Sequence, residues 1–280
     1  MELSVFLAVL AAAVMHAGWN VLVKLKLDRF LSLCLIQTLM GLIGVMMLLV
    51  FPLPALVSLP YALASGVLHL GYNLFLARSY RTGDLSQVYP IARGAAPLLT
   101  LAVTWTFIHE DMTLMGGAGV AILVAGIWMI SLLGHRGLRL DGLTLFFAIG
   151  TSVFIAAYTI VDGMGGRASG QPSSYAGMVF LFDAIFLAAT AVGMRGPGIV
   201  REVAPYWKTG VLGAALSGGA YWIAIWAMTK APIASVAALR ETSILVVMLL
   251  SMRVLKETVS LPRLAGAVLI VVGAVLIRLA

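Results

Sequence analysis

Residues 239–277 read LRETSILVVMLLSMRVLKETVSLPRLAGAVLIVVGAVLI, and residues 92–130 read ARGAAPLLTLAVTWTFIHEDMTLMGGAGVAILVAGIWMI. An offset of 147 pairs Arg93 with Arg240, Glu110 with Glu257, Gly119 with Gly266 and Gly126 with Gly273, without a gap. Each stretch reads as an apolar helix, a short acidic turn and a second apolar helix. Each carries one arginine inside its first apolar run.

Working outward from this repeat, the whole chain looks lipid-solvated. Of its 280 residues, 62% are hydrophobic and 10% charged, whereas a soluble domain carries about 25% charged residues. The apolar runs are about 20 residues long, enough to cross a hydrocarbon core of about 30 Å. Period-two alternation is absent, so helices rather than a barrel must satisfy the backbone. The expected fold is all-α and integral to the membrane, with ten transmembrane helices.

The ten spans are 3–24, 30–51, 57–80, 85–108, 113–133, 140–162, 173–193, 205–230, 232–255 and 261–279. The connections are short. The longest, 163–172 (GMGGRASGQP) and 194–204 (MRGPGIVREVA), are rich in Gly or Pro and read as mobile. The offset divides the chain into a first unit, 1–134, and a second, 139–280, with five spans each. Five is odd, so the second unit inserts upside down: an inverted repeat, with the substrate site expected between the halves near the bilayer midplane.

The net charge of +7 does not imply nucleic acid, because Lys and Arg concentrate in short loops, as insertion bias dictates. Loops after odd-numbered spans hold thirteen of them, and even-numbered loops with the termini hold three. By that rule both termini lie outside. Cys34, the single cysteine, lies in an apolar run, so neither a disulfide framework nor a metal-type cluster is indicated. The first run reads as a retained span, not a cleaved signal.

Arg93 and Arg240 each lie eight residues into their spans, about 12 Å deep at ~1.5 Å per residue. A buried arginine in a membrane costs at least about 2.5–3.5 kcal/mol. The functional reading is a pair of cationic contacts for an anionic substrate group, matched to guanidinium fork geometry. The alternative is a structural ion pair. Glu241 can carry a coupling proton, bind a substrate ammonium, or join the halves as a cross-helix partner for Arg93. Asp183 reads as structural, on a span taken as peripheral.

His16, Trp19 and Asn20 share one face of span one, and His69, Tyr72 and Asn73 repeat that spacing on span three. Both faces should point away from lipid. Tyr89, Tyr158, Tyr221 and Trp222 are candidate aromatic walls, and Trp128 and Trp207 fit an interfacial belt. Pro90, Pro97 and Pro232 are candidate kink or start points for spans four and nine. The chain contains no nucleophile–base pair, metal-ligand spacing or phosphate loop. It is therefore read as a non-enzyme without cofactor, metal or direct use of ATP.

The ends of the two units, FIHEDMTLMGGAGVAILVAGIWMI and VLKETVSLPRLAGAVLIVVGAVLI, resemble the EamA-type repeat of the drug/metabolite transporter superfamily. Its hallmark is a helix ending in an acidic turn residue, here Glu110 and Glu257, followed by a Gly-rich last helix. The resemblance covers essentially the whole chain. It implies a multi-pass permease or exporter in a bacterial inner (cell) membrane, and both termini in the cytoplasm, opposite to the charge bias. On this view Glu110 and Glu257 are caps and turn formers. Gly116, Gly117, Gly119, Gly126, Gly266 and Gly273 allow close packing, with a monomer or weak homodimer expected. The expected function is secondary-active transport of a small polar metabolite bearing an anionic group, by alternating access, with possible proton coupling. The alternatives are a cationic amine or drug carried on Glu241, and a flippase for lipid or lipid-linked sugar.

Overall fold

In the computed structural model, residues 1–22, 29–82, 85–132, 142–254 and 260–280 are described; the side chains at 21–22, 29, 80–82, 85–91, 132, 250–251 and 254 fall outside that description. The described residues form helices and short turns, with no strand among them. The order is α1 (Leu3–Leu22), α2 (Arg29–Val50), α3 (Leu59–Thr82), α4 (Leu85–Thr106), α5 (Leu114–Leu132), α6 (Gly142–Ala168), α7 (Pro172–Arg195), α8 (Ile199–Val203), α9 (Trp207–Met228), α10 (Ile233–Arg240), α11 (Ser243–Val254) and α12 (Leu261–Leu279).

The outer surface is apolar: Leu42, Leu49, Phe146, Val153, Val268 and Val271 are all exposed. Many polar groups lie inside, including Asp162, Asp183, Arg93, Arg240 and Glu241. That inversion suits lipid as solvent. Seven helical stretches among the described residues are long and apolar enough to cross a membrane, on α1, α2, α5, α6, α7, α8–α9 and α12. The other three expected spans correspond to α3, α4 and the pair α10–α11. They are the more polar or interrupted ones, and they carry His69, Arg93, Arg240 and Glu241.

Helix pairing joins distant parts of the chain. α12 packs on α5, α7 on α2, α6 on α3 and α4, and α9 on α1 and α2. The α5–α12 contact depends on glycine. A Cβ at Gly126 would lie 2.6 Å from the Gly266 carbonyl oxygen, and one at Gly266 would lie 2.7 Å from that of Gly126. The same reciprocity joins Gly119 and Gly273, at 3.0 and 2.6 Å. Any side chain at these four positions would force the backbones apart, so van der Waals contact here requires hydrogen. As Gly119 meets Gly273 and Gly126 meets Gly266, the two helices run antiparallel.

Three sequence expectations are corrected. The connection 163–172 is not a long loop: α6 continues to Ala168 and α7 begins at Pro172. Gly163 and Gly165 lie against Ile233 and Tyr175, so the glycines serve close helix packing rather than mobility. The connection 194–204 contains the short helix α8. Span nine is not one helix. α10 ends at Arg240 and α11 starts at Ser243, with no proline at the break. Glu241 N–H donates to Ala238 O (3.0 Å) and Thr242 N–H to Leu239 O (3.1 Å), three residues back rather than four. The Thr242 hydroxyl also donates to Leu239 O (2.7 Å). This competition by a short polar side chain is a known way to interrupt a helix. Pro232 is the N-cap of α10, and α4 runs unbroken through Pro90 and Pro97.

One end of the bundle is held together by a polar network. The Glu110 carboxylate accepts the Ile233 N–H (2.9 Å) at the start of α10 and pairs with Arg167. Arg167 in turn donates to the carbonyls of Met228 (2.8 Å) and Ala231 (3.1 Å). His109, at φ 53°, and a bond from Glu110 N–H to Thr104 O (3.0 Å) fold the chain back so that Glu110 reaches α10. Nearby, Ala55 N–H donates to Ser169 O (3.0 Å). Glu110 is thus a cap, but for a helix more than a hundred residues away. Glu257 lies outside the described residues.

Candidate functional site

A cavity of about 60 Å³ lies inside the bundle, lined from α1, α2, α3, α4, α6, α7, α9 and α10. Its polar walls are His16, Gln37, His69, Asn73, Asp183 and Arg240, with Arg93 and Ser217; Trp19, Tyr72, Tyr158 and Tyr221 supply aromatic surface. A second, smaller space of about 10 Å³ is lined by Arg93, Pro97, Thr100, Tyr158, Thr159, Arg240 and Glu241. Arg93, Arg240 and Tyr158 border both.

The two arginines have different surroundings. Arg93 forms a two-pronged ion pair with Glu241: Nε donates to Oε2 (3.1 Å) and Nη2 to Oε1 (2.7 Å). Both side chains are buried. Parallel N–H donors on one carboxylate are the strongest pairing this residue makes. The pair joins α4 to the break between α10 and α11, and it links the two halves of the sequence.

Arg240 lies at the C-terminal end of α10, where the helix dipole favours a cation. Its guanidinium carbon lies 5.0 Å from the centre of the Tyr221 ring. Its Nε is buried and has no hydrogen-bond partner. A buried charged donor left unsatisfied is costly. Here it borders an open space.

The expected polar faces are largely brought together. Trp19 Nε1 donates to His16 Nδ1 (3.2 Å), and Asn20 Nδ2 donates to His16 O (2.8 Å). His69 stacks on Tyr158 at 4.0 Å and meets Tyr221 edge-on at 5.5 Å. Tyr72 meets Tyr158 at 5.8 Å. Asn20 and Trp222 are not lining residues. Trp222 Nε1 donates to the Ser173 hydroxyl (3.0 Å) and its ring packs on Phe51, so Trp222 is a packing residue at the end held by the Glu110 network. The side chain of Tyr89 lies outside the described residues.

Three groups in the cavity region are not evident from the sequence pattern alone. Gln37 is a lone amide in an otherwise apolar run, a signal open to the same reading as Asn73. The sequence puts Asp162 at the edge of span six, because the glycines after it read as a loop. It is fully buried on α6 and accepts hydrogen bonds from Tyr175 (3.1 Å) and Tyr221. Asp183 reads from the sequence as part of a peripheral helix, yet α7 packs against α2, α3 and α9 and brings Asp183 to the cavity. The described residues hold no group of three or more His, Cys, Asp or Glu fit for a metal ion.

The sequence model of the EamA-like transporter family matches residues 3–132 and again 142–279. This chain belongs to the EamA-like transporter family. It is accordingly a multi-pass integral membrane protein and a transporter of the drug/metabolite transporter superfamily. Its fold is similar to that of a solved crystal structure at a TM-score of 0.79 and 19% identity, covering 100% of this chain and 98% of that one. A search of curated proteins gives no match. The family fixes transport as the activity.

Proposed function

We propose that this EamA-like transporter is a secondary-active permease for a small polar metabolite bearing an anionic group. It works by alternating access between two inverted five-helix repeats, 1–134 and 139–280, in a bacterial cell membrane. The reciprocal contacts Gly119–Gly273 and Gly126–Gly266 support the inverted arrangement, because a two-fold relation makes each contact occur twice. The two separate family matches support it too.

In this reading Arg240 receives the anion, with Arg93 as a second cation that Glu241 holds until the substrate competes for it. His16, Trp19, His69, Tyr72, Asn73, Tyr158 and Tyr221 shape the cavity wall. Glu241 tunes the charge of the arginine pair and can exchange a proton with the gradient. The observation that carries this reading is the unpartnered Nε of buried Arg240 beside the cavity. An anionic substrate is favoured over an amine carried on Glu241, because both carboxylate oxygens of Glu241 are already engaged by Arg93. The test is uptake by proteoliposomes of a panel of labelled carboxylates and phosphate esters. Wild-type protein transports at least one anion and Arg240→Ala does not, while both insert and stay monodisperse. Full activity in Arg240→Ala rejects the assignment.

A further inference from the structure

The buried polar atoms without hydrogen-bond partners are unevenly placed. His16 Nε2, Gln37 Oε1, both amide atoms of Asn73, Asp183 Oδ1 and Arg240 Nε all belong to residues that line the 60 Å³ cavity. Buried polar groups are normally satisfied, so this concentration marks a place built for an occupant with several polar atoms. The set contains opposite charges. Arg240 supplies cationic donors, whereas Asp183 and Gln37 present acceptor oxygens.

Asp183 is 3% exposed, and among the described residues it has no ion-pair partner within 4.0 Å. The nearby carboxylate, Asp162, has two tyrosine hydroxyls bonded to it. Asp183 Oδ1 has none. One acid is structurally saturated and the other faces open space with free acceptor capacity.

We infer that the cavity takes a zwitterion, with its anionic group at Arg240 and a protonated amine at Asp183. Asp183 is then the residue that separates amino-bearing substrates from their simple anionic analogues. This inference rests on the anion-transporter reading and adds a second pole to it. A buried carboxylate receives an ammonium far better than an uncharged methyl, because its own desolvation is then offset by a charge-assisted bond. At about 60 Å³ the space holds roughly four to six waters, which suits a compact ligand.

The test uses the full chain purified in detergent and matched probes: β-alanine, propionate and propylamine, then phosphoethanolamine, ethyl phosphate and ethylamine. Dissociation constants come from calorimetry, and folding from the thermal midpoint. In wild-type protein at least one zwitterion binds ten-fold or more tighter than its des-amino partner. Asp183→Asn removes that ratio by weakening only the zwitterion, and Asp183→Glu restores part of it. Equal binding of zwitterion and des-amino anion to the wild type overturns the zwitterion inference while leaving the anion reading intact. So does an equal loss of both ligands in Asp183→Asn, which is the mark of a purely structural aspartate. A ratio that survives Asp183→Asn also overturns it. Binding of the amines alone, or of no probe, rejects both readings.

Discussion

Arg93 and Arg240 occupy the same register position in two related stretches, yet they occur in unlike structures. Around Arg93 the chain continues as one helix, and the guanidinium is doubly bonded to Glu241. Around Arg240 the helix stops, and Nε has no partner. The residues that follow explain the difference. Gly94 and Ala95 offer the backbone nothing, whereas Glu241 reaches across to Arg93 and Thr242 bonds back to Leu239 O. Two substitutions in one copy thus neutralise the other copy's arginine and leave their own arginine available. Duplicated sequence with divergent neighbours can leave one arginine ion-paired and the other open to the cavity.

The sharpest way to break this comparison is Glu241→Ala. It leaves buried Arg93 without its counter-ion, and removing one partner of a buried pair costs about 3–5 kcal/mol. The thermal midpoint of the purified protein should fall far more than for Arg240→Ala, and equal falls would show that the two arginines are not in different roles. Arg240→Ala should instead lower transport about 100-fold, equivalent to ~2.7 kcal/mol of lost substrate interaction, with little change in midpoint. A double-mutant cycle on Arg93 and Glu241 should give a coupling energy of about 1–3 kcal/mol, with a smaller value for Arg240 and Glu241.

A smaller effect tests the far end of α10. Glu110→Ala removes the acceptor of the Ile233 N–H and the partner of Arg167, and should cost about 1–2 kcal/mol in denaturant unfolding, in line with loss of a helix cap. The smallest concerns Tyr221→Phe. The ring beneath Arg240 is kept while one hydroxyl donor to Asp162 is lost, for about 1 kcal/mol. Transport falling as far as in Arg240→Ala would move the binding role from Arg240 to the Tyr221–Asp162 pair.

Apolar run length and the repeated Arg–Glu–Gly register make the helical membrane fold legible, because in lipid the span length is set by the solvent. The break at Glu241–Thr242 is not legible from period or from proline, since it arises from two side chains competing for backbone and cross-helix partners. His16, His69, Tyr72 and Asn73 stand out as polar groups in apolar runs. Asp162 does not, because the glycines beside it look like a loop until Ile233 and Tyr175 are seen lying against them. Asp183 is plain in the sequence, but its meaning depends on which helices surround α7, and that is tertiary information.

α10 is short and uninterrupted. Its eight residues make a rod about 12 Å long. At one end the rod is pinned by the Glu110 carboxylate on the Ile233 N–H, and at the other it holds Arg240 beside the cavity. Two turns of helix contain no joint, so the polar network at Glu110 and the cavity wall at Arg240 are the two ends of one short rod.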